Sequence, residues 1–429
     1  MATRHDGCRT IGMAVAALRA NKFTTIGVVL AVVVLSMRMV LVGGETIAQP
    51  VAAVGFSQIE NPAGRDSLAP TISAGPKGEL ILSWLESHAP QMWLRYSEWQ
   101  GRGWGPVQTV VQRSNFDTYA EAPSIVQALQ SGALLAVWAE KKKEGNKQGN
   151  YLLCAVSRDH GKTWSEPRRV HTDASISEHS FSSVVANETG GATMVWLDAR
   201  DYSAEKRYRL MSAEISSTGK VSDETTIDAD VCTCCPTSLT RTSKGLLTVY
   251  RGHNADQIRD TMSARKVGEA WDKPSRVRAE DWKINGCPVN GPTVNGRDNE
   301  AAVVWFTAKD DKPQVENAFS SDGGQTFGDA HLLDSPKDGS RPIGHITAAL
   351  LPDGKQLVVW IRQSGGGAQL VTQEITKDGA TSELKVVTKG AARALGYPHM
   401  DVSGANAVLT WGGTPEGPSV QTAILAVTR

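Results

Sequence analysis

The sequence predicts an all-β propeller of four-stranded blades, and the main observation behind this prediction is a repeat of about 55 residues. Seven short apolar runs each end in a bulky aromatic residue, at intervals of 54, 58, 54, 55, 55 and 51 residues. A fixed period in this range is typical of repeat folds, and the repeated unit here is rich in strand-forming residues. The seven aromatic markers are Trp84, Trp138, Trp196, Tyr250, Trp305, Trp360 and Trp411.

Each repeat can be divided into four strands joined by turns. A first strand opens after a loop with proline, as in residues 70–74, and a turn at Gly78 leads to the second strand, which carries the marker. A third strand, such as residues 151–157, runs into a second glycine turn and a fourth strand. Four consecutive antiparallel strands of this kind form the blade of a propeller.

The turn between the third and fourth strands has its own motif. Residues 157–164 (SRDHGKTW) and 320–327 (SSDGGQTF) share a serine, an aspartate, a glycine, a threonine and an aromatic residue at the same spacing. Glycine supplies a positive φ, and the aspartate and threonine side chains bond to the turn backbone. These segments resemble the Asp-box, or BNR, repeats of the sialidase-like propellers, and the resemblance covers residues 54–429. We therefore expect a structural role for Asp159 and Asp322.

The ends of the chain are predicted to close the ring. There are seven markers but six turn glycines, and the last repeat contains only three strands before the chain ends. Residues 54–59 can supply the missing fourth strand, so that strands from both termini hide the sheet edges. Seven blades are therefore favoured; the alternative is six blades, the number in sialidases, with an extra hairpin. The six turn glycines are Gly101, Gly161, Gly219, Gly268, Gly324 and Gly379.

Residues 1–53 are predicted to lie outside the propeller, as an export signal or a membrane anchor followed by a linker. A basic region precedes the apolar run 25–43, and small-residue cleavage sites end at Ala48 and Ala53. This layout is typical of an export signal, although the run also approaches the ~20 residues of a membrane span. Both alternatives place the single domain 54–429 outside the cytoplasm, in the periplasm or the extracellular space, free or anchored to the inner membrane.

The charge balance argues against nucleic acid as a partner. The chain has 45 basic and 45 acidic residues, and the basic residues form no dominant stripe. Nucleic-acid binding depends on a basic footprint, so a small molecule, a sugar or a metal ion is the more reasonable ligand class.

A metal site is predicted where the chain enters each blade. In a propeller the loops that lead into the innermost strands gather around the axis on one face. Four of the six cysteines and three of the nine histidines fall in these loops. Thiolate and imidazole ligands suit copper or zinc. The predicted ligands are Cys232, Cys234, Cys235, Cys287, His179, His345 and His399.

Disulfides are the alternative explanation for the same cysteines. An exported protein meets an oxidising compartment, where four cysteines are expected to form two bridges. Adjacent blades bring Cys287 close to the Cys232–Cys235 loop, so a bridge between blades is feasible. Of the other two cysteines, Cys8 precedes the apolar run of the export signal, and Cys154 lies on an apolar strand, where it is expected to pack in the core.

The sialidase-like resemblance also implies candidate catalytic residues. Sialidases use three arginines to hold the substrate carboxylate, a tyrosine–glutamate nucleophile pair and an aspartate acid–base. The family's first arginine lies in an R-I-P motif that does not occur here; the nearest analogue is Arg65-Asp66-Ser67. Arginine–aspartate pairing that ties blades together is the alternative role. The candidates are Arg65, Asp66, Glu121, Glu178, Arg200, Tyr250, Arg251, Arg259, Arg341 and Tyr397.

Three functions therefore follow from the sequence. The first is a propeller that binds a ligand, a metal ion or a metal-assisted small anion, in its central funnel. The second is a sialidase-type exo-glycoside hydrolase that acts on an acidic sugar, and the third is a non-catalytic binding or assembly module. Copper or zinc would be the cofactor in the first case, and none is expected otherwise.

Overall fold

The computed structural model describes residues 55–205, 207–404, 406–414 and 419–426. These residues form seven antiparallel sheets, each with its strands in chain order except where the two termini meet. The fold is a seven-bladed propeller, as the repeat predicts. The predicted export segment, residues 1–53, lies outside the described residues. Within the described part, no helix has the length and apolar character needed to span a membrane.

The first strand of the described residues, β1 (Phe56–Gln58), belongs to the last blade, and blades one to three follow it. Blade one consists of β2 (Ser67–Ala74), β3 (Leu80–His88), β4 (Gln91–Glu98) and β5 (Gln108–Arg113). Blade two consists of β6 (Ile125–Ala128), β7 (Leu134–Glu144), β8 (Lys147–Ser157) and β9 (Arg168–Arg169). Blade three consists of β10 (His179–Ala186), β11 (Ala192–Asp198), β12 (Tyr208–Ile215) and β13 (Val221–Val231).

Blade four has an interrupted outer strand, because two short segments both pair with its third strand. Its strands are β14 (Ser238–Thr242), β15 (Gly245–Arg251), β16 (Thr261–Val267), β17 (Ala270–Trp271) and β18 (Ser275–Arg276). Blade five consists of β19 (Thr293–Arg297), β20 (Glu300–Thr307), β21 (Gln314–Ser320) and β22 (His331–Asp334). Blade six consists of β23 (Arg341–Leu350), β24 (Gln356–Ser364), β25 (Gly367–Ile375) and β26 (Lys385–Gly390). The loops hold α1 (Tyr202–Glu205), α2 (Ala392–Leu395) and a 3₁₀ turn (Lys309–Asp311).

Blade seven joins the two ends of the propeller. Its strands are β27 (His399–Ser403), β28 (Asn406–Trp411), β29 (Gln421–Ala426) and, on the outside, β1. The N-terminal strand pairs antiparallel with β29, so that Phe56 lies opposite Leu425 and Gln58 opposite Ala423. The predicted closure by strands from both termini is confirmed, and the six-bladed alternative is wrong.

The aromatic markers fill the core between blades. The five tryptophan markers before Trp411 are at most 1% exposed, and so is Tyr250. A buried indole N–H needs an acceptor, and four of these rings find a carboxylate within 3.2 Å. The pairs are Trp84 with Glu86, Trp138 with Glu140, Trp196 with Asp198, and Trp360 with Asp334.

The Asp-box turns are held by one aspartate each. The Asp322 carboxylate accepts hydrogen bonds from the backbone N–H and the hydroxyl of Thr326, at 2.9 and 2.6 Å, and from the Ser320 hydroxyl at 2.8 Å. The Ser320 hydroxyl in turn accepts from the Gly324 N–H at 2.8 Å. Asp159 makes the matching bonds in blade two. Both aspartates therefore have the structural role that the turn pattern predicts.

This turn gives a prediction for the acid stability of the propeller. Partial burial acts to raise the pKa of Asp322, but hydrogen bonds from Thr326 and Ser320 outweigh it and lower the pKa to about 2. The folded pKa lies below the unfolded value of about 4, so the carboxylate stabilises the fold above about pH 4, and this contribution is lost as the pH falls through about 2. We expect denaturant midpoints of the wild type and Asp322→Asn to differ at pH 6 and to converge towards pH 2. A gap that does not depend on pH would contradict this assignment.

Candidate functional site

A cavity of about 530 Å³ lies on the propeller axis, between the innermost strands of all seven blades. Of the residues that the sequence pointed to, four line this cavity: Glu121, His345, Tyr397 and His399. No cysteine of the described chain lines it, although Pro236, the residue after Cys235, does. The propeller axis therefore holds a polar cavity, which the loop of residues 232–236 borders on one side.

His345 and Tyr397 form part of the cavity wall. Their rings stack with centroids 4.0 Å apart, and the His345 Nδ1 lies 3.0 Å from the backbone oxygen of Gly396. The Tyr397 hydroxyl donates to the backbone oxygen of Val289 at 3.3 Å. Burial lowers the pKa of His345, whereas burial and then the nearby Glu121 raise the pKa of Tyr397. Both rings are therefore neutral near pH 7.

His399 is the third histidine of interest, and it also lines the cavity. Burial lowers the pKa of His399 to about 4. Its Nε2 is buried and has no hydrogen-bond partner in the described part of the chain. Neutral imidazole is the form that binds metals, but no cysteine joins His399 or His345 in a ligand group within the described residues.

The four cysteines of the entry loops lie together beside the cavity. Cys234 and Cys287 form a disulfide with a Cα–Cα distance of 6.2 Å, which links the loop before blade four to the loop before blade five. Cys232 and Cys235 are unbonded, 1% exposed, and have their Sγ atoms 3.3 Å apart. The Cys232 Sγ is also 3.9 Å from that of Cys234. The disulfide alternative is confirmed for one pair, and its second bridge is not formed.

The two free thiols of this sulfur cluster (Cys232, Cys234, Cys235 and Cys287) differ in their acidity. The hydrogen bond from Cys235, with help from the positive charges of Arg259 and Arg251, lowers the pKa of Cys232 to about 6. Burial, and then the neighbouring Cys232, raise the pKa of the Cys235 thiol. Cys232 is therefore the more acidic thiol of the pair. The free Cys154 packs in the blade-two core, where burial raises its pKa to about 12.

His179 lies in a different group from the cysteines. Its Nε2 is 3.2 Å from Asp173 Oδ2 and 3.6 Å from Asp198 Oδ2, between blades two and three. The structure therefore divides the seven predicted metal ligands among three places: the sulfur cluster, the cavity wall and this histidine–aspartate group. The reason is that loops on one face of a propeller still differ in their distance from the axis and in the direction of their side chains.

The predicted arginine clamp does not assemble at the cavity, because none of its five candidates is among the lining residues; two other arginines, Arg241 and Arg297, line it instead. The Arg200 guanidinium donates to both oxygens of Asp198, at 2.8 and 2.7 Å. Arg251 is 1% exposed and donates to backbone oxygens of three segments. Arg65 and Arg341 are exposed at the surface. Arg200 and Arg251 therefore have the structural pairing that was the alternative role.

The remaining catalytic candidates also have partners in the fold. The buried Tyr250 hydroxyl donates to Asp228 at 2.7 Å, and the Glu178 carboxylate accepts from the hydroxyl of Tyr208. Asp66 is exposed, and the Arg259 Nη2 donates to the Gln257 side chain at 3.0 Å. Only Glu121 and Tyr397 remain as candidates that face the cavity.

Comparison with known proteins places the repeat in a family. The model described as BNR repeat-like domain matches residues 86–406. A protein of unknown function from Dyadobacter fermentans is 15% identical, with a TM-score of 0.47 over 88% of this chain and 99% of that chain. An α-L-arabinofuranosidase from Fusarium graminearum is 12% identical, with a TM-score of 0.46 over 88% of this chain and 98% of that chain. The NanB sialidase from Streptococcus pneumoniae is 11% identical, with a TM-score of 0.46 over 86% of this chain and 71% of that chain. No curated protein sequence matches the chain.

Proposed function

This chain belongs to the BNR repeat-like family. We propose that it is an exported protein that binds a soft metal ion, Cu(I), through Cys232 and Cys235 of its sulfur cluster. The observation that carries the proposal is the pair of unbonded sulfurs 3.3 Å apart, with Cys234 as a third sulfur 3.9 Å from Cys232. Soft thiolate ligands select soft ions such as Cu(I).

The number of available thiols favours copper over zinc. While the Cys234–Cys287 bridge is intact, the cluster offers two free thiols, and no histidine of the described chain joins them. Structural zinc sites use four protein ligands in almost all cases, whereas Cu(I) is stable with two or three sulfur ligands. The nearby charges of Arg251 and Arg259 would offset the negative charge of two thiolates.

The burial of the pair supports a site that retains its ion. Cys232 and Cys235 are each 1% exposed, so a bound Cu(I) would be shielded from water and from oxidants. The next residue, Pro236, lines the axial cavity, which offers a route to the cluster from the open face. The bridge from Cys234 to Cys287 fixes the loop that carries both thiols.

An anaerobic Cu(I) titration against a chromophoric chelator tests the proposal. We expect about one tightly bound Cu(I) per chain, and an affinity lower by roughly 100-fold or more in Cys232→Ser and in Cys235→Ser, because each removes half of the ligand set. Cys154→Ala is the matched control, since it removes a buried free thiol in another blade. An unchanged affinity in Cys232→Ser, or no uptake by protein whose two thiols are free, would rule out this function.

A glycoside hydrolase is the second candidate. The observation in its favour is that Glu121 and Tyr397 line the same cavity, as a sialidase-type nucleophile pair would. Against it, none of the five arginines predicted as a clamp lines that cavity; the arginines that do line it, Arg241 and Arg297, were not predicted for that role. The copper site rests on contacts that are already formed, and we therefore rank it first. A non-catalytic binding module, the third candidate, is compatible with a copper ligand and with a sugar ligand.

A further inference from the structure

The axial cavity has a second end, which the cysteine loop does not reach. The innermost strands of blades four and five, β14 and β19, both start on the side of the entry loops. Arg241 is the fourth of the five residues of β14, and Arg297 is the last residue of β19. A strand rises by about 3.3 Å per residue, so Arg241 lies roughly 10 Å along the axis from Ser238, where β14 starts. Both arginines line the cavity, at the end away from the sulfur cluster.

Contacts between the two strands place these arginines side by side. The Gly296 N–H donates to the hydroxyl oxygen of Thr240 at 2.9 Å. A Cβ atom on Gly296 would lie 2.5 Å from the backbone oxygen of Arg241, so glycine lets the two strands approach this closely. Arg297 directly follows Gly296 in the chain, and Arg241 directly follows Thr240. The two arginines are therefore neighbours across the strands, and we call them the arginine pair.

The positive charge of the arginine pair is poorly compensated within the described residues. The Arg297 guanidinium makes no hydrogen bond or ion pair with any other residue that the structure describes. The Arg241 Nε donates to the backbone oxygen of Ala186 at 3.4 Å, and its Nη1 lies 3.5 Å from a carboxylate oxygen of Glu188. The Glu188 side chain is 87% exposed, so water screens this ion pair. Two guanidinium groups thus meet at the cavity wall with little negative charge beside them.

The two carboxylates among the lining residues are held elsewhere. The Asp401 Oδ2 accepts a hydrogen bond from the Ala74 N–H, and its Oδ1 accepts one from the Val402 N–H, both at 2.8 Å. Glu121 lies in the loop before β6, at the entry end of the cavity. An anion from solution is therefore the partner that the arginine pair can take up.

We infer that the arginine pair binds a phosphate group, either as inorganic phosphate or as part of a small phosphate monoester. Guanidinium groups bind phosphate oxygens through paired N–H bonds, and a phosphate dianion balances two positive charges, whereas a carboxylate balances one. The Thr240 hydroxyl accepts from Gly296 and can still donate its own proton to an anion. The cavity of about 530 Å³ has room for a small organic group next to the phosphate.

Isothermal titration calorimetry of the full-length protein, in chloride buffer of constant ionic strength at pH 7.5, tests this site. We expect one inorganic phosphate to bind per chain, and acetate to bind more weakly. Phenyl phosphate serves as the second probe: tighter binding than inorganic phosphate would identify a monoester site, and weaker binding a site for the free ion. Absence of saturable phosphate binding would overturn the inference, and so would acetate binding as tight as that of phosphate.

Two variants locate the bound phosphate. Arg297→Gln should weaken phosphate binding by roughly tenfold or more, because it removes one charged donor group. Its urea midpoint should stay that of the wild type, since Arg297 has no side-chain partner among the described residues. Arg341→Gln is the matched control, because Arg341 is exposed and does not line the cavity. Equal phosphate affinity in the two variants would overturn the location. Cys232→Ser should bind phosphate as the wild type does, so failure of the copper proposal leaves this inference unaffected.

Discussion

Trp360→Ala is expected to lower the free energy of unfolding by about 3–5 kcal/mol, the range for a large aromatic residue removed from a core. The Trp360 side chain is fully buried between blades five and six, in a cluster with Val304 and Val371. Its indole N–H donates to Asp334 at 2.7 Å, and Asp334 also pairs with Arg362 at 3.1 Å. The variant therefore creates a cavity and leaves a buried carboxylate with one partner fewer.

Equilibrium urea unfolding would measure this effect, with two variants for comparison. Trp360→Phe keeps most of the packing and loses the hydrogen bond to Asp334, so we expect an intermediate loss. Leu332→Ala removes a side chain that is 52% exposed, and its free energy of unfolding should differ from wild type by less than about 0.5 kcal/mol. A Trp360→Ala midpoint close to that of Leu332→Ala would contradict the role given to the markers.

Arg251→Ala is expected to destabilise the protein by about 3 kcal/mol or more, because a buried guanidinium holds several backbone oxygens that would lose their donor. One terminal nitrogen of Arg251 donates to the Arg259 oxygen at 2.9 Å. The other donates to the oxygens of Asn290 and Phe306, at 2.9 and 2.7 Å. The guanidinium also lies 5.1 Å from the centre of the Trp282 ring.

Thermal and urea unfolding of Arg251→Ala and Arg341→Ala would separate a structural arginine from a substrate clamp. Arg341 is the matched control, since it was predicted for the same candidate role, but it is exposed and its Nε donates to the Gln363 side chain at 2.9 Å. We expect Arg341→Ala to stay within about 0.5 kcal/mol of the wild type. Equal effects in the two variants would refute the structural role of Arg251.

The blade architecture could be predicted from the sequence because it repeats. A Trp that ends an apolar strand and an aspartate that holds a turn act within a few residues, so each copy carries its own signal. The closure by β1 followed from the same logic, since the last repeat lacked one strand. Neighbouring entry loops also allowed Cys287 to be placed beside Cys234.

The sites were harder to predict, because they depend on the direction of side chains from different loops. His179 shares a face with the cysteines, yet it points to Asp173 and Asp198. Neither Asp173 nor Asp198 lies in a motif of its own, and neither was among the predicted ligands. The burial of Arg251 likewise follows from carbonyl oxygens that lie up to 55 residues away in the chain.

The state of the sulfur cluster is the most direct test of the account. Peptide mapping of alkylated, unreduced protein and elemental analysis should be made on the same sample, purified without chelator and loaded with Cu(I). We predict one copper per chain in the loaded protein. Once the copper is removed, Cys232 and Cys235 should be alkylated, and Cys234 should remain bridged to Cys287. A second bridge between Cys232 and Cys235, with no copper taken up after its reduction, would contradict it.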